Sequence, residues 1–306
     1  MHIAADFDAR SLLFIPADAE RFVAKAADRG ADVIVLDLED GVAPSAKHAA
    51  RAALRGAVQR LRRSGCVVYV RVNHEAALLA DDVAAAVAGG ADGIVMPKVE
   101  APGQLARLED DLRREESRAG RAGTGLGIVV LIETPKGVLR AAEIAAASTR
   151  TVAMGLGAED FSTAMGIDPV VEAMSGPAQT VAIAAVAAGL HPIGLPGSIG
   201  EFTDLGAFRA LAEHARTIGV RGSACIHPAQ VAVLNEVFDG TEAQAAAAAR
   251  LLAAFDAAVA EGKGAIALDG RMIDEPIAHR ARQFLERRAA RAARTARRAA
   301  AAGDGR

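Results

Sequence analysis

Eight short runs, mostly β-branched and most of them leading into a longer Ala-, Arg- and Glu-rich stretch of helical period, constrain this chain more than any other feature. They fall at Ser11–Ile15, Val33–Leu36, Val67–Val72, Gly93–Met96, Ile128–Ile132, Val152–Leu156, His191–Ile193 and Gly222–Ile226. Strands joined through helices must pair in parallel, and several runs are apolar on both faces, as they must be when helices cover a sheet. Eight such units predict a TIM-type (β/α)8 barrel; a doubly wound parallel sheet is the alternative. The 306 residues suffice for one, and with 3% aromatics and no Trp its core is built from Ala, Val, Leu and Ile.

The rhythm changes near residue 240. Thr241 is placed to cap a helix running through Ala260, Glu261–Gly264 breaks it, and a short segment, Ala265–Pro276, follows. A final helix from about Glu275 leads into an Arg/Ala-rich tail. The expected division is a barrel over residues 1–240 and a helical lobe over 241–306. The basic stretch Arg287–Arg298 reads first as a solvated helix face, with binding of a polyphosphate or an acidic partner as the alternative. Ala302–Arg306 reads as disordered.

Bulk properties exclude several classes. A net charge of -3 gives no reason to expect nucleic acid as a partner. Cys66 and Cys225 alone make no disulfide framework and no cysteine-rich metal site, which fits the reducing cytosol. The acidic N-terminus does not read as a signal peptide. No apolar run approaches the ~20 residues of a membrane helix, Val181–Leu190 being the longest candidate.

In a βα barrel, chemistry sits at the C-terminal ends of the strands. VIVLDLEDGV runs straight into Asp37, Glu39 and Asp40, whose mutual repulsion calls for nearby cations; capping and surface ion pairs are the plainer reading. In VRVN, Arg71 alternates with Val70 and Val72 and turns toward the mouth, where its fork suits a carboxylate of either protein or substrate. LIETPKG delivers Glu133 and GLGAEDFS delivers Glu159 and Asp160 from successive strands. Two carboxylates with room for water and substrate oxygens suit Mg²⁺. The seven histidines show no zinc-like spacing, and GLG lacks the third glycine of a dinucleotide fingerprint. CIHPAQV places His227 in a loop before Pro228. In DGRMIDEP, Asp274 is an acid or base, or simply a helix cap; spacing alone favours the cap.

Taken in order, RSLLFIPADAERFVAKA, VLDLEDGV, VRVN, VMPKVE, LIETPKG, GAEDFS and CIHPAQV resemble the citrate lyase β-subunit/malyl-CoA lyase group of the HpcH/HpaI aldolase superfamily over nearly the whole chain. The resemblance implies a Mg²⁺ site (Mn²⁺ being a possible substitute) at Glu133 and Asp160, with Asp37, Glu39 and Asp40 around it. It implies that Arg71 holds the substrate carboxylate. Phe14, Arg21, Lys25, Ile226 and His227 would lie near coenzyme A or its thioester, and Asp274 would be the acid/base aspartate of a C-terminal lid. Further implications are a trimer or hexamer, a cytoplasmic location, and cleavage or formation of a 3-hydroxyacyl-CoA such as malyl-, methylmalyl- or citramalyl-CoA with a 2-oxoacid. Competing readings are a citrate lyase β subunit acting on a carrier-bound citryl thioester, a free 2-oxoacid aldolase, and a non-catalytic CoA-ester-binding subunit. Ala17 stands where the group often has glycine.

Overall fold

The computed structural model describes residues 7–123 and 125–303, with side chains described as far as residue 296. Expectations for the first six residues and for the very end of the tail lie outside the described residues. The chain divides into two compact units, Met1–Phe238 and Asp239–Arg306.

In the first unit every expected run is a strand: β1 (Ser11–Pro16), β2 (Val33–Asp37), β3 (Val68–Arg71), β4 (Gly93–Met96), β5 (Gly127–Ile132), β6 (Thr151–Leu156), β7 (His191–Ile193) and β8 (Ser223–Cys225). They form one sheet in the order β7-β6-β5-β4-β3-β2-β1-β8. A bridge between Ile193 and Gly222, with the Gly194 N–H donated to the Gly222 carbonyl at 3.0 Å, joins its two ends. The sheet is therefore a closed parallel barrel, and the doubly wound alternative is set aside.

Strand alternation then decides what each side chain meets. Along β2, Val33 and Val35 pack inside the barrel with Leu12, Tyr69, Val95, Val129 and Leu131. Ile34 and Leu36 face outward and pack with Leu54, Val58, Leu61, Val83, Leu105 and Leu108 of the surrounding helices. The next inward positions are polar. Asp37 follows Val35, Arg71 follows Tyr69 and Glu133 follows Leu131, so a two-residue period delivers all three to the barrel mouth.

The second unit has its own small core of Phe255, Ile273 and Ala278. Its helix Glu242–Ala260 opens with a capping box: Gln244 N–H donates to the Thr241 hydroxyl at 3.1 Å, and Thr241 N–H to Gln244 Oε1 at 3.0 Å. The segment expected only as short and irregular is an antiparallel hairpin of β9 (Ala265–Leu268) and β10 (Arg271–Asp274). Asp269 and Gly270 turn it, with φ of 50° and 75°, the backbone of a type I′ turn. The last helix spans Glu275–Gly303, so Ala302 and Gly303 are helical. Within its basic stretch Arg288 and Arg291 are engaged with Asp239 at 3.5 and 3.6 Å, which favours the structural over the polyphosphate-binding reading for those two.

Within Pro228–Ala260 a window of membrane-spanning length has a mean hydropathy of 1.3, so by length and composition this stretch departs from the expectation that no apolar run approaches a membrane helix. The segment is nevertheless two helices, broken at Gly240–Thr241. The first buries Val231, Val233, Leu234, Val237 and Phe238, whereas the second buries Phe255 and Ala258 and leaves most of its alanines at the surface.

Candidate active site

At the mouth of the barrel lies a cavity of about 370 Å³, lined by Phe14, Asp37, Arg71, Glu133, Glu159, Asp160 and Ile226 among others. Asp37 and Arg71 are register partners on β2 and β3. Arg71 makes a two-pronged contact with Asp37, its Nε and Nη2 each 2.7 Å from a carboxylate oxygen. Its Nη1 lies 2.9 Å from Glu39 Oε2, and its guanidinium sits 5.2 Å over the Phe14 ring. Burial opposes its charge, but the Asp37 hydrogen bonds and then the Asp37 and Glu39 charges hold its pKa above the ordinary value. The protein carboxylate that the sequence offered as one option is thus present. Asp37 also accepts the N–H groups of Glu39 and Gly41 at 2.9 and 2.8 Å, fixing the loop after β2.

Glu39 is buried and receives Lys98 Nζ at 2.9 Å. Its Oε2 finds no hydrogen bond despite the nearby Arg71 nitrogen. Burial raises its pKa, against the pull of Arg71 and Lys98. Asp40 is exposed and lies 3.5 Å from the same ammonium. Behind this loop Lys47 Nζ meets the carbonyls of Leu38 and Glu39 at 2.7 and 2.6 Å and Asn73 Oδ1 at 2.8 Å.

Glu133 comes directly off β5 and is 3% exposed. Its Oε2 accepts the backbone N–H of Lys98 at 2.7 Å. Its Oε1 lies over Gly157, where an added Cβ would come within 2.5 Å, so any side chain there would push the Glu133 carboxylate out of place. Asp160 projects from the first turn of the helix Ala158–Met165. Burial, followed by the charges of Asp160 and Glu39, pushes the Glu133 carboxyl up to about 8.

A buried acid raised by neighbouring acids is the environment a hard divalent cation relieves. Among the described residues no group of three or more His, Cys, Asp and Glu converges on a point. The donor set therefore fits a cation that takes one or two carboxylates and completes its shell with water and substrate oxygens, as Mg²⁺ does.

The raised pKa has a consequence for stability. A carboxyl whose folded pKa exceeds its unfolded one favours folding below the unfolded pKa, and that contribution is lost as pH climbs through the folded pKa. Metal-free protein is therefore expected to lose stability between about pH 4.5 and 8, and Glu133→Gln is expected to melt above the unsubstituted protein at pH 8. Thermal melts in chelator across that range check this; equal melting temperatures would show that Glu133 carries no buried charge.

A second pocket adjoins the first. It is lined by Arg21, Phe22, Lys25, Arg29, His227 and Pro228, and shares Phe14, Ile15, Pro16 and Ile226 with the cavity. Arg21 and Lys25 are four apart on the helix Glu20–Ala26, so both face the pocket. Arg21 lies 4.5 Å over the Phe22 ring. His227 stacks on Phe202 at 4.8 Å, and its Nδ1 accepts Ala229 N–H at 3.2 Å. Gln230, wholly buried, accepts the N–H groups of Ile226 and His227 and donates to the Ile199 carbonyl, tying two loops together.

The structure thus gathers Phe14, Asp37, Arg71, Glu133, Asp160 and Ile226 at one cavity and Arg21, Lys25 and His227 beside it. Asp274 belongs to the other unit, at the end of β10, where its Oδ1 lies 3.4 Å from Ile277 N–H as a helix cap. Lys98, Phe22, Phe202 and Gln230 were not singled out from sequence. Aromatic residues flanking a basic helix face could have signalled the Phe22 site; nothing local signals Lys98.

The HpcH/HpaI aldolase/citrate lyase family model matches residues 10–228. The citrate lyase subunit beta of Escherichia coli (strain K12) is 31% identical over 282 residues, covering 91% of this chain and 92% of the relative. The L-malyl-CoA/beta-methylmalyl-CoA lyase of Rhodobacter capsulatus is 35% identical over 288 residues, covering 87% and 90%. The crystal structure of CitE from Mycobacterium tuberculosis in complex with magnesium, acetoacetate and coenzyme A matches with a TM-score of 0.72 at 31% identity, over 92% of this chain and 98% of that one.

Proposed function

The chain belongs to the HpcH/HpaI aldolase/citrate lyase family and is a carbon–carbon lyase of CoA esters; we propose that it uses Mg²⁺, with Mn²⁺ as a substitute, to cleave a 3-hydroxyacyl-CoA into an acyl-CoA and a 2-oxoacid, or to run the reverse condensation. The observation that carries this reading is the meeting of Glu133 and Asp160 at a cavity continuous in its lining with a cationic pocket. One end suits a metal and a small oxoacid, the other the phosphates of a CoA thioester.

Glu133 and Asp160 would hold the ion, which when bound supplies Lewis-acid polarisation and a template for the substrate's oxygens. Arg71 keeps two of its five N–H donors beyond those turned to Asp37 and Glu39, and they suit a substrate carboxylate. Arg21, Lys25 and Arg29 suit phosphate. Phe14 and Ile226, which line both pockets, suit the thioester between them. Asp274 would give a proton to the acyl carbon in cleavage and take it in condensation. A trimer or hexamer in which Asp274 of one copy serves another copy's barrel completes the proposal, together with a cytoplasmic location.

The second reading, a citrate lyase β subunit, draws on the 31% identity to the E. coli relative. The three cations of the outer pocket suit a ligand that carries several phosphates, as free CoA does. Mass-spectrometric product analysis decides. The expected result is Mg²⁺-dependent condensation of acetyl-CoA or propionyl-CoA with glyoxylate or pyruvate; turnover of only a carrier-bound thioester would overturn the CoA reading.

Binding of the ion should also release a proton, because Glu133 must ionise first. Mg²⁺ affinity is expected to rise about tenfold per pH unit below pH 8 and to level off above it. Calorimetry in buffers of different ionisation enthalpy checks this, and a pH-independent affinity would contradict it.

A further inference from the structure

Lys98 touches two of the acids at the barrel mouth by two different routes. Its backbone N–H donates to Glu133 Oε2 at 2.7 Å, and its ammonium donates to Glu39 Oε1 at 2.9 Å. To do both it adopts φ 53°, the left-handed region; among the described residues other than glycine, only Asp269 of the hairpin turn shares a positive φ. Such a conformation in a residue with a long side chain is costly and persists only when its surroundings demand it. It follows β4, whose register with β5 brings Met96 opposite Val130, close to where Glu133 emerges.

We propose that Lys98 is a positioning residue that keeps the two buried carboxylates in different roles: its amide ties down Oε2 of Glu133 so that Oε1 is left for the metal, while its ammonium holds Glu39 off the metal. The proposal rests on the reading of Glu133 and Asp160 as metal ligands. Without the ammonium, Glu39 keeps the Arg71 guanidinium at its other oxygen, and Oε1, no longer held by Lys98, can turn toward the ion, which would bind more tightly with a position needed by substrate occupied. Without the amide, Glu133 loses the contact that orients it, and the ion would bind more weakly.

Two substitutions at this one position separate the effects. Lys98→Gly removes the ammonium yet keeps the amide in place, since glycine adopts positive φ freely. Lys98→Val removes the ammonium and also disfavours the backbone conformation, because a β-branched residue resists positive φ. Calorimetric titration with MgCl2 at mildly alkaline pH, on variants whose folding is verified by circular dichroism, reads both. The expected result is that Mg²⁺ affinity rises about tenfold in Lys98→Gly, as loss of a nearby like charge dictates, and that Lys98→Val, which shares that gain, binds about tenfold or more weakly than Lys98→Gly, as a strain penalty of this kind implies. Turnover should fall in both, with kcat and not KM carrying the loss in Lys98→Gly. If the two variants tighten equally, Lys98 acts only as a charge; if Lys98→Gly weakens or does not change, it is merely structural; each outcome overturns the proposal. Failure of the unsubstituted protein to bind Mg²⁺ would sink the metal reading itself, which separates the two failures.

Discussion

Glu133→Gln is expected to lose Mg²⁺-dependent turnover by about 10³-fold or more, because a ligand whose ion supplies several kcal/mol of transition-state stabilisation is gone, at a factor of ten for every ~1.4 kcal/mol. The amide keeps the shape of the side chain, and its carbonyl oxygen can still accept the Lys98 N–H that Oε2 accepts now. What it lacks is the negative charge that a hard cation requires. The fold should survive, since the substitution also removes an acid that burial and the charges of Asp160 and Glu39 have pushed up to about 8. Steady-state kinetics beside a thermal melt read the two effects together. A variant with near-normal turnover at saturating Mg²⁺ would remove Glu133 from the metal; one that is inactive because it has unfolded would show that its role is in the core.

Asp274→Asn should lower turnover by about 10²–10⁴-fold, the usual contribution of a positioned acid or base, with CoA-ester affinity nearly unchanged. Asparagine is as good a helix cap as aspartate, so the contact to Ile277 N–H and the start of the helix Glu275–Gly303 should be kept. The substitution thus separates proton transfer from capping at a residue where both are chemically reasonable. Single-turnover kinetics with a bound CoA ester make the distinction. A normal rate per bound complex would leave Asp274 as a cap and no more, and the acid or base would have to come from elsewhere.

The barrel was legible because its signal is local. Most of the strands are compact, largely aliphatic runs, and all eight expected runs are strands of the barrel. Glu133 was legible for the same reason, being the first polar residue after an uninterrupted apolar strand. The pairing of Arg71 with Asp37 was not, because two residues 34 apart become neighbours only through the register of β2 and β3. From sequence its fork suited a carboxylate of protein or substrate equally well. The contacts of Lys98 were less accessible still: they come from a left-handed backbone turn that Pro-Lys-Val does not announce. The β9–β10 hairpin, by contrast, could have been found, since Asp269-Gly270 between two apolar runs is a strong type I′ signal. The apolar character of Pro228–Ala260 was less legible, because Gln244, Arg250 and Asp256 interrupt its Ala-rich second helix.

The central claim, that the carboxylates of Glu133 and Asp160 grip a single divalent ion, is tested most directly by diffraction from crystals grown with MnCl2 and recorded at the manganese absorption edge. The account predicts one anomalous peak per chain, in contact with both carboxylates and beside Gly157. A peak that touches neither residue, or no peak in the barrel mouth at saturating metal, would contradict it.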